Sequence, residues 1–358
     1  MNVDVQQLTL KYGDAVAVSD LDLTIGEGES LVLLGQSGCG KTSTMRCIAG
    51  LETPTAGVIS IGGQIVFDSA AGVNRAPYKR NVGMVFQSYA IWPHMTVFEN
   101  VAFPLKMKGR KKAEIHDVVT ETLDLVGLAH LADRGASLLS GGQMQRVALA
   151  RSLAMKPSVL LLDEPLSNLD ARLRHRLRME LRELQLRLGL TTVYVTHDQD
   201  EALALADRIA LMDYGRIVQV GRPDEIYANP KTASVAEFLG VDNILPVTRV
   251  DATGVQLTAT GQTLKVEPYG GDEPLRACIR AEDIQITSGQ TDVVNTLYGV
   301  IVSFAFQGST VAYRVRISDG LEIDAVVLKS TGQRLSMNDQ VSVSLPPGAI
   351  RVLAVEAP

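Results

Sequence analysis

Residues 35–42 read Gly35-Gln36-Ser37-Gly38-Cys39-Gly40-Lys41-Thr42 and fit G-x-x-x-x-G-K-[ST] in full. Glycines at those places let the main chain wrap an anion, while the lysine and the hydroxyl can neutralise a polyphosphate and ligate its metal. Further along, Leu139-Ser140-Gly141-Gly142-Gln143 forms a second glycine-rich turn with neither lysine nor metal ligand. It can offer an anion only main-chain N–H groups and the Ser140 hydroxyl at a helix start. A chain with one complete phosphate site and one half-site is built to share the half-site with a second copy.

These groups need elements to hold them. Ser30 to Leu34 is mostly apolar and reads as a buried strand, and Ser43 to Ala49 reads as a helix start closed by Gly50. That is the strand–loop–helix context the motif requires. Ser140 is a good N-cap for a helix over Gln143 to Met155, stopped before Pro157. Three more apolar strands end in polar residues. Val82 to Phe86 ends at Gln87, Val159 to Leu162 at Asp163-Glu164, and Thr191 to Thr196 at His197. Ligands of an open α/β sheet bind outside the carboxyl ends of its strands, so all three ends are predicted on the edge that carries the first cradle.

The roles expected there are those of phosphoryl transfer, which is positioning plus charge neutralisation. Lys41 reaches the β/γ-phosphates, and Thr42 binds Mg²⁺. Asp163 completes the metal shell through water, with Gln87 touching metal or water. Glu164 orients or deprotonates the attacking water, and His197 donates to the γ-phosphate. Each signal has a plainer alternative. Asp163-Glu164-Pro165 also makes a capped turn, and Thr196-His197-Asp198 also caps a helix. Tyr12, in Lys11-Tyr12-Gly13-Asp14, could stack on an adenine face but reads by itself as a hairpin tyrosine. Cys39 sits at a helix N-terminus, which should depress its thiol pKa; the alternative is an inert small residue.

At 358 residues there is room for two or three domains. Hydrophobic content of 46% and charged content of 21% suit a globular protein, and a net charge of −6 argues against a general nucleic-acid binder. No apolar run approaches the roughly 20 residues that span a bilayer, and Met1 to Gln7 lacks a basic-then-apolar signal pattern. Three cysteines, Cys39, Cys47 and Cys278, make no disulfide framework, which fits a reducing compartment. A cytoplasmic protein is expected.

Along the chain, a strand-rich start carries the first cradle. A helical pattern follows from about 88 to 138, with Val118, Glu121, Thr122 and Leu125 in a run closed at Gly127. Strands and helices alternate again to about 240, the signature of a parallel sheet. The helix from Arg172 to Arg187 is rich in arginine. Interleaved Glu180 and Glu183 and a stripe of Leu173, Leu177, Leu181, Leu184 and Leu188 make it a solvated amphipathic helix. After Gly240 short alternating segments, such as Gln256-Leu257-Thr258, Ala312 to Ile317 and Val341-Ser342-Val343, suggest a small β-barrel or sandwich.

Taken together, the motifs resemble those of the ATP-binding subunit of an ABC transporter. Walker A at Gly35–Thr42, Gln87 of the Q-loop, the Leu139–Gln143 signature, Walker B with Glu164, the D-loop Ser167-Asn168-Leu169-Asp170 and the His197 switch follow in family order. The resemblance covers residues 1–240. It implies an α/β P-loop NTPase (RecA-like) ABC cassette with a helical subdomain at about 88–138. It implies ATP and Mg²⁺ as cofactors, and Tyr12, Gly35, Ser37, Gly38, Cys39, Gly40, Lys41, Thr42 and Ser43 as ATP ligands. It also implies a head-to-tail dimer in which Ser140, Gly141, Gly142, Gln143 and Asp170 meet the ATP of the other copy. Residues 88–138 would dock on two membrane permease subunits or domains, themselves served by a solute-binding protein. The chain would be peripheral, on the cytoplasmic face of the inner membrane.

Residues 241–358, with Cys278-Ile279-Arg280-Ala281-Glu282-Asp283-Ile284, are similar to the OB-like regulatory domains of bacterial importers, with Ala281 where proline is usual. A regulatory or dimerisation role is expected for them. Tyr89 to Val97 resembles the ferric-iron and polyamine importer group; sugar, sulfate and phosphonate importers are close relatives. A soluble ABC-type ATPase would carry two cassettes or a long coiled-coil insert, and a P-loop kinase would not need the second cradle.

Overall fold

Where apolar and polar residues alternate the chain forms half-buried strands, and where apolar residues run unbroken it forms buried ones. A computed structural model describes residues 1–271, 274–291, 293–330 and 335–355. The chain divides into two units, Met1–Ile226 and Tyr227–Pro358.

In the first unit, β1 (Val3–Tyr12) and β2 (Ala15–Ile25) form a hairpin that pairs Tyr12 with Ala15. β3 (Ser30–Gly35) is buried throughout and leads to α1 (Lys41–Ala49), which Gly50 ends in a left-handed turn. β4 (Ala56–Ile61), β5 (Gln64–Asp68) and β6 (Val73–Asn74) extend the hairpin into an antiparallel sheet of order β2-β1-β4-β5-β6. β7 (Val82–Val85) precedes three helices: α2 (Val97–Met107), α3 (Lys112–Leu125) and α4 (Gly141–Leu153). Then β8 (Val159–Asp163), α5 (Ala171–Leu188), β9 (Thr191–Thr196), α6 (Gln199–Leu205), β10 (Arg208–Asp213) and β11 (Arg216–Gly221) follow.

The second sheet has order β11-β10-β3-β9-β8-β7 and is parallel from β10 to β7. The α1 residues Met45 and Ile48 share one core with Val3, Leu8 and Ile25 of the first sheet and Leu31, Leu33 and Val193 of the second. The expected helical stretch holds α2 and α3. Thr96 and Glu99 close a reciprocal capping box on α2, and Gly127 turns left-handed just after α3. Both cradle helices start two residues earlier than expected, at Lys41 and Gly141, because the first turn after each cap is already helical.

The amphipathic reading of α5 holds for Leu177 and Leu184, which are buried, and in part for Leu173 and Leu181, whereas Leu188 at the end of the expected stripe is exposed. It holds less well for its arginines. Arg174 and Arg182 are only partly exposed and make ion pairs to Asp198 and Asp207.

The second unit is built on two antiparallel sheets. The first contains β12 (Asn243–Asp251), β13 (Gly254–Leu257), β14 (Thr263–Lys265) and β15 (Leu275–Ile279). The second contains β16 (Gln285–Ser288), β17 (Thr296–Phe306), β18 (Thr310–Ser318), β19 (Leu321–Leu328) and β20 (Gln340–Ser344). β21 (Arg351–Ala354) returns to the edge of the first, giving orders β14-β13-β12-β15-β21 and β16-β20-β17-β18-β19. The inward residues, among them Leu245, Val255, Leu275, Ile301, Val315 and Val343, form one core. The architecture is the expected α/β P-loop cassette followed by a small, β-rich, OB-like fold.

Candidate functional site

Four neighbouring strands of the parallel sheet, β3, β9, β8 and β7, deliver their carboxyl ends to one edge. These ends carry the first cradle, His197, Asp163-Glu164 and Gln87, so the sheet brings together residues far apart in sequence.

The cradle is shaped by its glycines. Gly40 caps α1 at φ 101, and a Cβ on it would lie 2.4 Å from the Ala17 carbonyl oxygen, so no side chain fits there. Lys41 is 5% exposed. Its Nζ donates to the carbonyl oxygens of Gly35 (2.8 Å) and Gln36 (2.7 Å) and so is held inside the loop. Cys39 is buried with its Sγ 3.6 Å from Lys41 Nζ. Its thiol is not depressed as the sequence suggested. Burial pushes the pKa up, and the lysine only opposes that effect.

Thr42 Oγ1 donates to Asp163 Oδ1 at 3.0 Å. Asp163 is 5% exposed, and burial pushes its carboxyl up against the lowering effect of the Thr42 bond. Two hard oxygens so close together suit Mg²⁺, provided a nucleotide supplies further oxygens. Tyr12 stands half-exposed at the end of β1 and donates to Glu52, and burial followed by that bond raises its hydroxyl.

Glu164 is the hub of the edge. It sits just past β8 with φ 41, a left-handed conformation costly for a glutamate, and its N–H donates to Val195 O at 3.0 Å. Oε1 lies 3.2 Å from His197 Nδ1, and Oε2 accepts from Gln87 Nε2 at 3.1 Å. Ser167 Oγ donates to Glu164 O at 2.9 Å, and Asn168 Nδ2 to Gln87 O at 2.9 Å. A carboxylate held by Gln87 on one oxygen and His197 on the other, beside the buried Asp163, can position and deprotonate a water.

The second cradle is built as a cap. Ser140 caps α4, and Gln143 Oε1 accepts from Ser140 N at 3.0 Å. A Cβ on Gly142 would meet Leu173 at 3.1 Å and Leu177 at 3.3 Å, so the glycine also lets α4 pack closely on α5. Asp170 caps α5, its carboxylate accepting from Leu173 N at 3.0 Å.

Two arginines were missed by sequence reasoning. Arg151, on the buried face of α4, donates to Ala90 O (2.6 Å) and Tyr89 O (2.9 Å), and its guanidinium lies 4.7 Å from the Trp92 ring centroid. It pins a turn in which Tyr89 and Ala90 both have positive φ. A lone charge inside the apolar run Val147 to Leu153 was the available signal. Arg174 donates to Leu169 O at 3.1 Å and pairs with Asp198 at 3.4 Å, tying the 167–170 loop to the residue after His197. Glu201, buried, accepts from Tyr194 Oη (2.8 Å) and Thr196 Oγ1 (2.9 Å), which braces the same strand end.

Residues 18–167 match the family model described as ABC transporter, and residues 277–353 match that described as TOBE domain. The chain is 42% identical to the spermidine/putrescine import ATP-binding protein PotA of Ruegeria pomeroyi, over 94% of this chain and 91% of that one. It is 42% identical to the Fe(3+) ions import ATP-binding protein FbpC of Brucella melitensis, over 98% of each. Among solved structures, the ATP-binding cassette MJ0796, a dimer in a post-hydrolysis state bound to ADP and Pi, is 31% identical with a TM-score of 0.54. That match covers 62% of this chain and 98% of that one.

Proposed function

The chain belongs to the family of ABC transporter ATP-binding subunits, and on that premise we propose that it hydrolyses ATP to power import of ferric iron or a polyamine. Glu164 is the residue that carries the reading: it is held between Gln87 and His197 beside the lysine cradle.

ATP lies with its phosphates along Gly35, Ser37, Gly38, Cys39 and Gly40, and Lys41 leaves the loop carbonyls to meet them. Ser43 and Tyr12 flank the nucleotide, with Tyr12 on the adenine. Thr42, Asp163 and Gln87 would hold Mg²⁺, which would neutralise charge on the ATP phosphates. Glu164 orients the attacking water and takes its proton, and His197 donates to the γ-phosphate.

The half-site acts on the nucleotide of a second copy. The side chain of Gln143 is occupied by its own cap and that of Asp170 by Leu173 N. The groups left for an anion are the Ser140 hydroxyl proton and the first N–H groups of α4, at Gly141 and Gly142. The dimeric, ADP-bound state of MJ0796 supports this arrangement.

Among the described residues no helix is long and apolar enough to cross a membrane. The chain works as a peripheral subunit on the cytoplasmic face, beneath two permease subunits or domains served by a solute-binding protein. Residues 1–240 are the cassette, with residues 88–138 facing the permease, and residues 241–358 regulate or dimerise it. The full-length likeness to PotA and FbpC supports the choice of cargo.

Capture of the tagged Glu164→Gln chain from detergent-solubilised membranes with ATP tests the reading. Two hydrophobic permease chains or domains should come with it, and their partner binding protein should take Fe³⁺ or spermidine. Recovery of the chain with no membrane partner would overturn it.

A further inference from the structure

Away from the phosphate edge, α3, α4 and α5 leave a cavity of about 390 Å³ between them. Leu149, Leu177, Leu181 and Leu184 give it apolar walls, and Gln145 is the polar group set among them. Gln145 is 2% exposed, and its Oε1 has no hydrogen-bond partner. A buried amide oxygen without a donor is unfavourable, and such groups call for an explanation. The charges nearest it are already spent. Arg146 donates to Glu180 at 2.5 Å and to Val126 O at 3.3 Å. The remaining rim charges, Asp124, Glu183 and Arg187, are of both signs and set up no strong field for an ion.

We propose that this cavity is a second ligand site, for a small uncharged molecule with a compact apolar body and one N–H or O–H donor. Gln145 Oε1 is closed to solvent in the free chain, so the side chain turns into the cavity to accept the ligand's donor, and the body displaces solvent from the leucine walls. Position gives the site a consequence. At its amino end α4 lies tight on α5 because residue 142 is glycine, with Leu173 and Leu177 against it. One turn later, at Gln145, the helices part around the cavity. A ligand there wedges α4 against α5 and shifts the Ser140–Gly142 half-site. This consequence rests on the reading in which that half-site meets nucleotide; ligand binding itself does not.

Indole and indene are matched probes, with and without an N–H, titrated into the full chain by ligand-observed NMR. Indole should bind saturably, and indene about fivefold more weakly for want of one neutral hydrogen bond. Gln145→Leu should equalise the two probes, and Leu181→Trp, which fills the cavity, should abolish both. Thermal melts verify that each variant is folded. No saturable indole binding would overturn the site, as would undiminished binding to folded Leu181→Trp or a preference for indole that survives Gln145→Leu. Indole should also change the ATP turnover of the wild type at least twofold, and that of Leu181→Trp not at all. Binding without that change overturns the wedge. A chain that binds indole but hydrolyses no ATP overturns the proposed function instead.

Discussion

Gln87 Nε2 and the Glu164 carboxylate meet at 3.1 Å across the ends of neighbouring strands β7 and β8. The same carboxylate holds His197 at 3.2 Å on its other oxygen. A residue on the short link to the helical segment and a residue at the end of β9 thus converge on one acid.

Glu164→Gln should keep ATP binding and lower turnover by roughly 10²–10⁴, the usual worth of a positioned base. Lys41→Ala should instead weaken nucleotide binding itself. Steady-state hydrolysis alongside equilibrium nucleotide titration separates the two. Wild-type turnover in Glu164→Gln would remove Glu164 from the chemistry.

Asp163 makes a pH-dependent prediction. Burial raises its carboxyl in the folded chain, so the stability it contributes is present below the ordinary carboxylate value and is lost as pH rises through the raised folded value. Without nucleotide, Asp163→Asn should therefore raise Tm at pH 7.5, and the gain should vanish toward pH 4. The same variant should lose stabilisation by Mg²⁺-ATP. A lower Tm at pH 7.5 would mean that burial is not the dominant influence on this carboxyl.

Arg151→Met removes two charge-assisted bonds and leaves the carbonyls of Tyr89 and Ala90 without their donor. A loss of roughly 2–4 kcal/mol in urea-unfolding stability is expected. A cost below about 0.5 kcal/mol, the range of an ordinary surface change, would show that the strained turn does not depend on this arginine.

The shared half-site predicts cross-chain chemistry. With Ser37→Cys and Ser140→Cys on a Glu164→Gln background, ATP should promote a disulfide that links two chains on a non-reducing gel. A product that migrates only as internally crosslinked monomer would end the sandwich model.

Much of this site was legible in the sequence because its chemistry is local. The cradle needs glycines where a Cβ cannot fit, a lysine and a hydroxyl, all within Gly35–Thr42. The buried strands announced themselves as unbroken apolar runs ending in Gln87, Asp163-Glu164 and His197. The split into an α/β part and a β-rich part was visible as a change of period.

What the tertiary structure decided depends on neighbours distant in sequence. The sheet order places the ends of β3, β9, β8 and β7 side by side, a fact no single segment contains. Cys39 looked activated by its helix, yet enclosure of the loop by the surrounding core gives desolvation the larger effect. Arg151 and Arg174 looked like a stray charge and one of many helix arginines. They became structural because Arg151 meets the carbonyls of Tyr89 and Ala90, far earlier in the chain, and Arg174 joins Leu169 O to Asp198 on the next strand end. Pattern specifies which residues turn inward, but which inward groups meet is set by packing between elements, and that information is not local.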